Sequence, residues 1–327
     1  MNCLICHQNE ADFVGSHILP HSILESMYND GRKGRDKEQN FQLTGAGSTP
    51  FFGREVLPET IAETLGRPVT DADLESTNPY VADNVFCTPC EKKLSYIETL
   101  YKQKVATPLA SGRVLTAEQL QIAHFFWLTT LYRCAVTGFA NFHMAEPLLR
   151  ELATITKAII VDSDSVAQTE QNCLSVPVTH NLFIGYFPPS ADSGRHQVRA
   201  HLDKRDPYLI TINQYVLAFN YRRPDQVAEL EKELGVRLAI TADGTSVKVF
   251  SAPEREQLLQ YFWQLAAHYL VQEFRDNFSS YYRQKHGHLP NPAIVHGYIQ
   301  ELALADMPET VKFSTERIEQ LTQKHSS

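Results

Sequence analysis

Two Cys-x-x-Cys pairs, Cys3/Cys6 and Cys87/Cys90, are separated by eighty residues, and they constrain the fold of this chain more than any other feature. Four thiolates in two close pairs form the ligand set of a tetrahedral zinc site whose halves come from distant sequence. Closing so long a loop costs roughly 4 kcal/mol plus a constant. Structural zinc contributes about 10–16 kcal/mol in small peptides, so the balance favours a metal. Disulfides are the alternative for four cysteines and need an oxidising compartment. The opening Met1-Asn2-Cys3 shows neither the basic nor the apolar region of a leader, so reduced thiols, zinc and a cytoplasmic location are the expectation. Cys134 and Cys173 have no partner at ligand spacing and read as buried small hydrophobes.

The chain has 327 residues, 43% of them hydrophobic, and no apolar run near eighteen residues, which excludes a membrane-spanning helix. Net charge is −8, and the stretch through Ala110 holds fifteen Asp/Glu against ten Lys/Arg. A nucleic-acid binder draws most of its affinity from phosphate neutralisation, so any such grip here has to be local. Two basic patches qualify: Arg32, Lys33, Arg35 and Lys37, and a second around Arg195 and Arg199.

The pattern along the chain is that of an α+β protein. Residues 1–110 read as a zinc module with a long insertion, and 111–327 as a mixed helical and antiparallel-sheet region. In the first part, a strand is expected over Glu10 to Ser16, short helices over Ser22–Tyr28 and Pro58–Leu65, and a loop over Thr44–Gly53. Leu94, Ile97, Leu100, Tyr101 and Val105 recur at helical spacing, up to a break at Pro108 to Gly112. Thr116 and Gln119 form a capping box before a long apolar helix ended by Gly138. That helix carries a single cation, Arg133, which needs a carboxylate or carbonyl partner if buried. A helix over Pro147 to Ile160 follows. The block at about 174–250 is rich in strands: Leu182–Phe187, Tyr208–Asn213, Val216–Tyr221, Arg237–Thr241 and Ser246–Phe250, the last two joined as a hairpin through Asp243-Gly244. Pro224–Gly235 reads as a polar helix. Ser251 and Glu254 cap a long helix to about Gln284, and two shorter helices close the chain.

A histidine at a strand end after one zinc knuckle, with a second knuckle opening a helix, resembles the HNH endonuclease family, built on a ββα-metal core of treble-clef type. The matching stretches are Ser16-His17-Ile18-Leu19-Pro20, Asp83-Asn84-Val85-Phe86-Cys87 and Cys87-Thr88-Pro89-Cys90-Glu91, and the resemblance spans roughly Cys3 to Val105. It implies a structural zinc on Cys3, Cys6, Cys87 and Cys90. His17 then takes the place of the general base, and Asn84 that of the family's asparagine. Glu91, with Asp83, takes the place of the groups holding a catalytic Mg²⁺ or Mn²⁺, for which carboxylate oxygen is a suitable hard ligand. The implied partner is nucleic acid, DNA before RNA, with no membrane. A homo-oligomer or protein partner would supply the contacts an acidic chain lacks, and mobile-element or defence systems are the associated context. Ser16 departs from the family by standing where many members have a metal-binding aspartate. The alternative reading is therefore a non-catalytic zinc-binding adaptor or nucleic-acid-binding module.

Overall fold

The computed structural model describes residues 1–23, 39–44, 47–52, 56–75, 80–139, 142–188, 198–205, 207–220, 223–238, 240, 244–304 and 313–327. In chain order the elements are β1 (Ser16–His17), β2 (Gln39–Thr44), β3 (Gly47–Phe52), α1 (Pro58–Leu65), α2 (Asp71–Glu75), β4 (Val81–Ala82) and α3 (Thr88–Tyr101). After a π-helical turn at Lys102–Ala106 come α4 (Thr107–Ala110), α5 (Ala117–Thr137), α6 (Glu146–Thr156), a second π turn at Lys157–Val161, and α7 (Val166–Ser175). Then follow β5 (Leu182–Tyr186), β6 (Val198–Arg205), β7 (Tyr208–Ile212), β8 (Tyr215–Phe219), α8 (Pro224–Leu234), β9 (Thr245–Val249), α9 (Ala252–His286), α10 (Pro292–Leu304) and α11 (Thr315–His325). The mixture of helix and sheet expected from the sequence is present.

The chain divides into two compact units, Met1–Gly31 with Pro79–Leu258, and Arg32–Asn78 with Leu259–Ser327. The first is organised around α5. Thr116 accepts from the Gln119 N–H while the Gln119 side chain accepts from the Thr116 N–H, so both ends of the capping box are closed. Gly138 ends the helix at φ 64, a left-handed conformation that glycine adopts without strain. Every residue from Ile122 to Cys134 is buried, as in a helix surrounded by other elements rather than lying on a surface. Helices α3, α6 and α7 pack against it, and a five-stranded sheet of order β6-β7-β8-β5-β9 shares its core.

Strands β5, β7 and β8 are buried at every position, so both faces of the sheet are covered. The period of two sorts them. Leu182, Ile184, Tyr186, Tyr208, Ile210, Ile212, Tyr215, Leu217 and Phe219 join the core of α5, where Trp127 lies 4.9 Å from the Tyr215 ring. The opposite face carries Phe183, whose ring meets Phe250 edge-on at 6.2 Å. A Cβ at Gly185 would run into the Phe250 ring, so this mid-strand position has no room for a side chain.

Three sequence expectations are corrected. The sheet is mixed, not antiparallel: β9 runs parallel to β5, from Leu182 opposite Thr245 to Tyr186 opposite Val249. The hairpin expected through Asp243-Gly244 falls partly outside the described residues, which omit 239 and 241–243. Residues 237, 238 and 240 lie outside any strand, and the Gly244 N–H bonds the Asn181 side chain at 3.0 Å. A sequence pattern identifies strands but not their partners. The stretch from Thr44 to Gly53, read as loop from its Gly/Ser/Thr content, supplies β3, paired antiparallel with β2 from Gln39 opposite Phe52 to Thr44 opposite Gly47. A backbone ladder needs no apolar alternation. The strand expected over Glu10–Ser16 shrinks to β1 and an isolated Asn2–Glu10 bridge, because Gly15 turns the chain at φ 82. Helix α7, capped by the Ser165 hydroxyl, was not anticipated. The helix expected over Ser22–Tyr28 lies outside the described residues beyond residue 23.

In the second unit, α10 and α11 pack together over Phe274, Phe278, Tyr298, Leu302, Ile318 and Leu321, with Phe278 and Tyr298 stacked at 4.4 Å. Arg67 grips Asp73 with two bonds of 2.7 and 2.8 Å, and this pairing holds the Asp73 carboxyl well below its usual range.

His124, in the buried stretch of α5, contacts Thr245 of β9 through Nδ1 at 2.7 Å, and its Nε2 has no partner. Burial lowers its pKa to about 3, so the folded state holds it neutral. Below about pH 6.5 the unfolded chain takes up a proton that the folded chain refuses. Stability should then fall with pH, by up to about 1.4 kcal/mol per unit from this residue, down to pH about 3. Urea titrations from pH 7 to 4 should show a flatter decline in His124→Leu, and an identical slope in both proteins would contradict this assignment.

Candidate metal centre and histidine site

The four cysteines of the two pairs meet. Their sulfurs all lie within 4.8 Å of one another, and all four residues are buried. The Cys6 and Cys87 sulfurs are 3.7 Å apart, against about 3.8 Å for two ligands of a tetrahedral zinc with 2.3 Å bonds. The spacing far exceeds the roughly 2.05 Å of a disulfide.

Local chain geometry explains how the pairs are presented. In the first pair the His7 N–H bonds the Cys3 carbonyl at 2.9 Å, the Ile5 N–H points to the Cys3 sulfur at 3.4 Å, and His7 takes a left-handed φ of 55. This tight turn brings Cys3 and Cys6 to one side and leaves His7 exposed, outside the sulfur group. In the second pair, Cys87 is the extended N-cap of α3 and Cys90 lies one turn in, with Pro89 at the helix start. Asn9 adds a hydrogen bond from its Nδ2 to the Cys87 sulfur at 3.6 Å.

The sulfurs are electrostatically unsettled as thiols. A hydrogen bond from Cys90 lowers Cys3 to about 4, and Cys90 is pushed up, chiefly by that same bond. Burial raises Cys87. One thiolate thus rests on its neighbours' protons, an arrangement a divalent cation replaces by binding all four as thiolates. The donor set fits zinc.

His17 ends β1, opposite Val81 of β4. The His17 carbonyl accepts from Arg133 Nη1 at 2.8 Å, and its N–H faces the Glu91 carboxyl. Its half-buried ring lies edge-on to that of His21, 5.2 Å between centroids. Glu91, in the first turn of α3, is buried, and burial pushes its carboxyl up. The Arg133 charge, the Ser16 hydroxyl and the His17 N–H act in the other direction. The Ser16 hydroxyl lies outside hydrogen-bonding geometry and has no other partner. Arg133 is 1% exposed and also donates to Glu98 Oε1 at 2.9 Å and, through Nη2, to Thr130 at 3.3 Å. Glu98 in turn accepts the His21 N–H at 3.2 Å.

Asp83 accepts the Gly15 N–H at 2.6 Å and so fixes the turn before β1. Asn84 holds a left-handed φ of 57 and donates its N–H to the Phe13 carbonyl at 2.8 Å. Arg199 lies on β6, opposite Thr211. Arg32, Lys33, Arg35, Lys37 and Arg195 fall outside the described residues. Among the described residues the four cysteines are the single group of three or more metal-ligating side chains drawn together. No helix among them is long and apolar enough to cross a membrane.

The sequence left the partner of Arg133 open, and Glu98 supplies the carboxylate. The signal was present: Glu98 follows Glu91 by two helical turns, on the same flank.

Comparison with family models, curated proteins and solved structures finds no match to this chain.

Protein prepared under reducing conditions should hold one zinc per chain by elemental analysis. Cys90→Ser should lose it and destabilise the fold by about 4 kcal/mol or more, whereas Cys134→Ala, outside the sulfur group, should retain it. A wild-type protein without tightly held metal would refute the assignment.

Proposed function

We propose that the zinc-framed segment is an HNH-type endonuclease that hydrolyses phosphodiester bonds, DNA in preference to RNA. The observation that carries this reading is the mounting of His17 at the end of β1, where its carbonyl accepts from Arg133 and the next N–H, of Ile18, bonds the Tyr80 carbonyl, in the segment that also brings the four cysteines together. An imidazole titrates near neutrality and suits a general base. In this reading the His17 ring takes a proton from a water whose oxygen attacks phosphorus. The bond from phosphorus to the leaving oxygen then breaks, and that oxygen takes its proton from solvent. The fixed backbone holds the ring against the phosphate, which is the positional contribution to rate.

The resemblance also implies Mg²⁺ or Mn²⁺ near Glu91 and Asp83, which when bound would stabilise charge on the phosphate. The residues do not form a ready-made cage for it. Glu91 is buried against Ser16, His17 and Arg133, and Asp83 spends an oxygen on Gly15. The same observation favours a second reading, a zinc-stabilised adaptor that binds without cutting.

Supercoiled plasmid offered with Mg²⁺ or Mn²⁺ separates the two. Nicking should appear with wild type and fall about 10²-fold or more in His17→Ala, with zinc content unchanged. Undiminished cutting by His17→Ala would overturn the assignment of the base. Absence of cleavage of both DNA and RNA with either metal would overturn the nuclease reading in favour of the adaptor.

A further inference from the structure

We propose that Arg133 is a positioning residue for the His17 site, through which α5 sets the geometry of a strand belonging to the zinc-bearing segment. The claim rests on the reading of His17 as the reactive group. Arg133 belongs to α5, far along the chain from both cysteine pairs, yet a single nitrogen, Nη1, bonds the His17 carbonyl at 2.8 Å and Glu98 at 2.9 Å. The neighbouring Tyr132 hydroxyl donates to the Leu4 carbonyl, inside the first cysteine turn, at 2.9 Å. Two adjacent residues of one helix thus hold both the sulfur-bearing turn and the histidine strand.

Three features show that the contact with His17 is more than packing. β1 has only two residues, so few ladder bonds hold it to β4. The Arg133 fork adds a charge-assisted bond on β1, and such bonds are stronger than neutral ones and more restrictive in direction. Glu98 links the fork onward to the His21 backbone, so the chain on both sides of Ile18-Leu19-Pro20 is tied to one guanidinium. A buried arginine is costly unless paired, and here its acceptors lie on β1 and α3, the two elements whose relative placement decides where the imidazole points.

The test uses the full chain as wild type, Arg133→Met, Arg133→Lys and the milder Glu98→Gln, which leaves Arg133 in place if its removal prevents folding. Amide exchange by mass spectrometry should show protection over residues 13–23 falling about tenfold or more in Arg133→Met. Protection of β5 and zinc content should be unchanged. Arg133→Lys should recover part of it, and Glu98→Gln should fall between. In plasmid cleavage, Arg133→Met should lose about 10²-fold in kcat with KM within about twofold, as for a misplaced group rather than lost binding. Unchanged exchange over residues 13–23 in a folded Arg133 variant, or in Glu98→Gln if neither Arg133 variant folds, would overturn the proposal. So would equal loosening of β5. If wild type cuts nothing, the nuclease reading fails, and the exchange measurement still decides whether Arg133 holds the strand.

Discussion

Four buried sulfurs gathered within 4.8 Å are the constraint on which the N-terminal architecture depends. Cys3 and Cys6 precede any regular element, and Cys87 and Cys90 open α3. Without the cluster, the first residues would rely on a two-residue strand and a few backbone bonds, among them Leu4 to Val85 and Ile18 to Tyr80. With it, β1 is fixed against α3. The geometry of His17 is then a matter of backbone contacts over a few ångströms rather than closure of an eighty-residue loop.

A second layer of constraint comes from α5. A helix buried from Ile122 to Cys134 and carrying one arginine there has to satisfy that charge, and it does so on β1 and on α3, which carries two of the cysteines. Arg133 compensates Glu98 directly and favours the charge on Glu91, two carboxyls near one cation. Burial nevertheless leaves Glu91 with a raised pKa, its carboxyl lying toward Ser16 and His17 of β1.

Much of this was legible in the chain. The cysteine spacing predicted the cluster, the Thr116 and Gln119 box and Gly138 predicted both ends of α5, and the need of Arg133 for an acceptor was visible from its apolar surroundings. Other features were not legible, for physical reasons. The parallel pairing of β9 with β5 is decided by tertiary packing, which local pattern does not encode. The β2–β3 ladder includes Thr44, Gly47, Ser48 and Thr49, which read locally as loop. The choice of the His17 carbonyl as an Arg133 acceptor depends on a contact between residues more than a hundred positions apart.

The position of β5 in the sheet has a consequence for biosynthesis. Both of its neighbours, β8 and β9, lie later in the chain, so a nascent polypeptide extends an apolar ribbon before either flank can be satisfied. Non-local strand pairing forms slowly and leaves open edges prone to wrong partners. Until Thr245–Val249 has left the ribosome, Leu182–Tyr186 is exposed to self-association, which makes the yield of native protein sensitive to translation speed and chaperone supply.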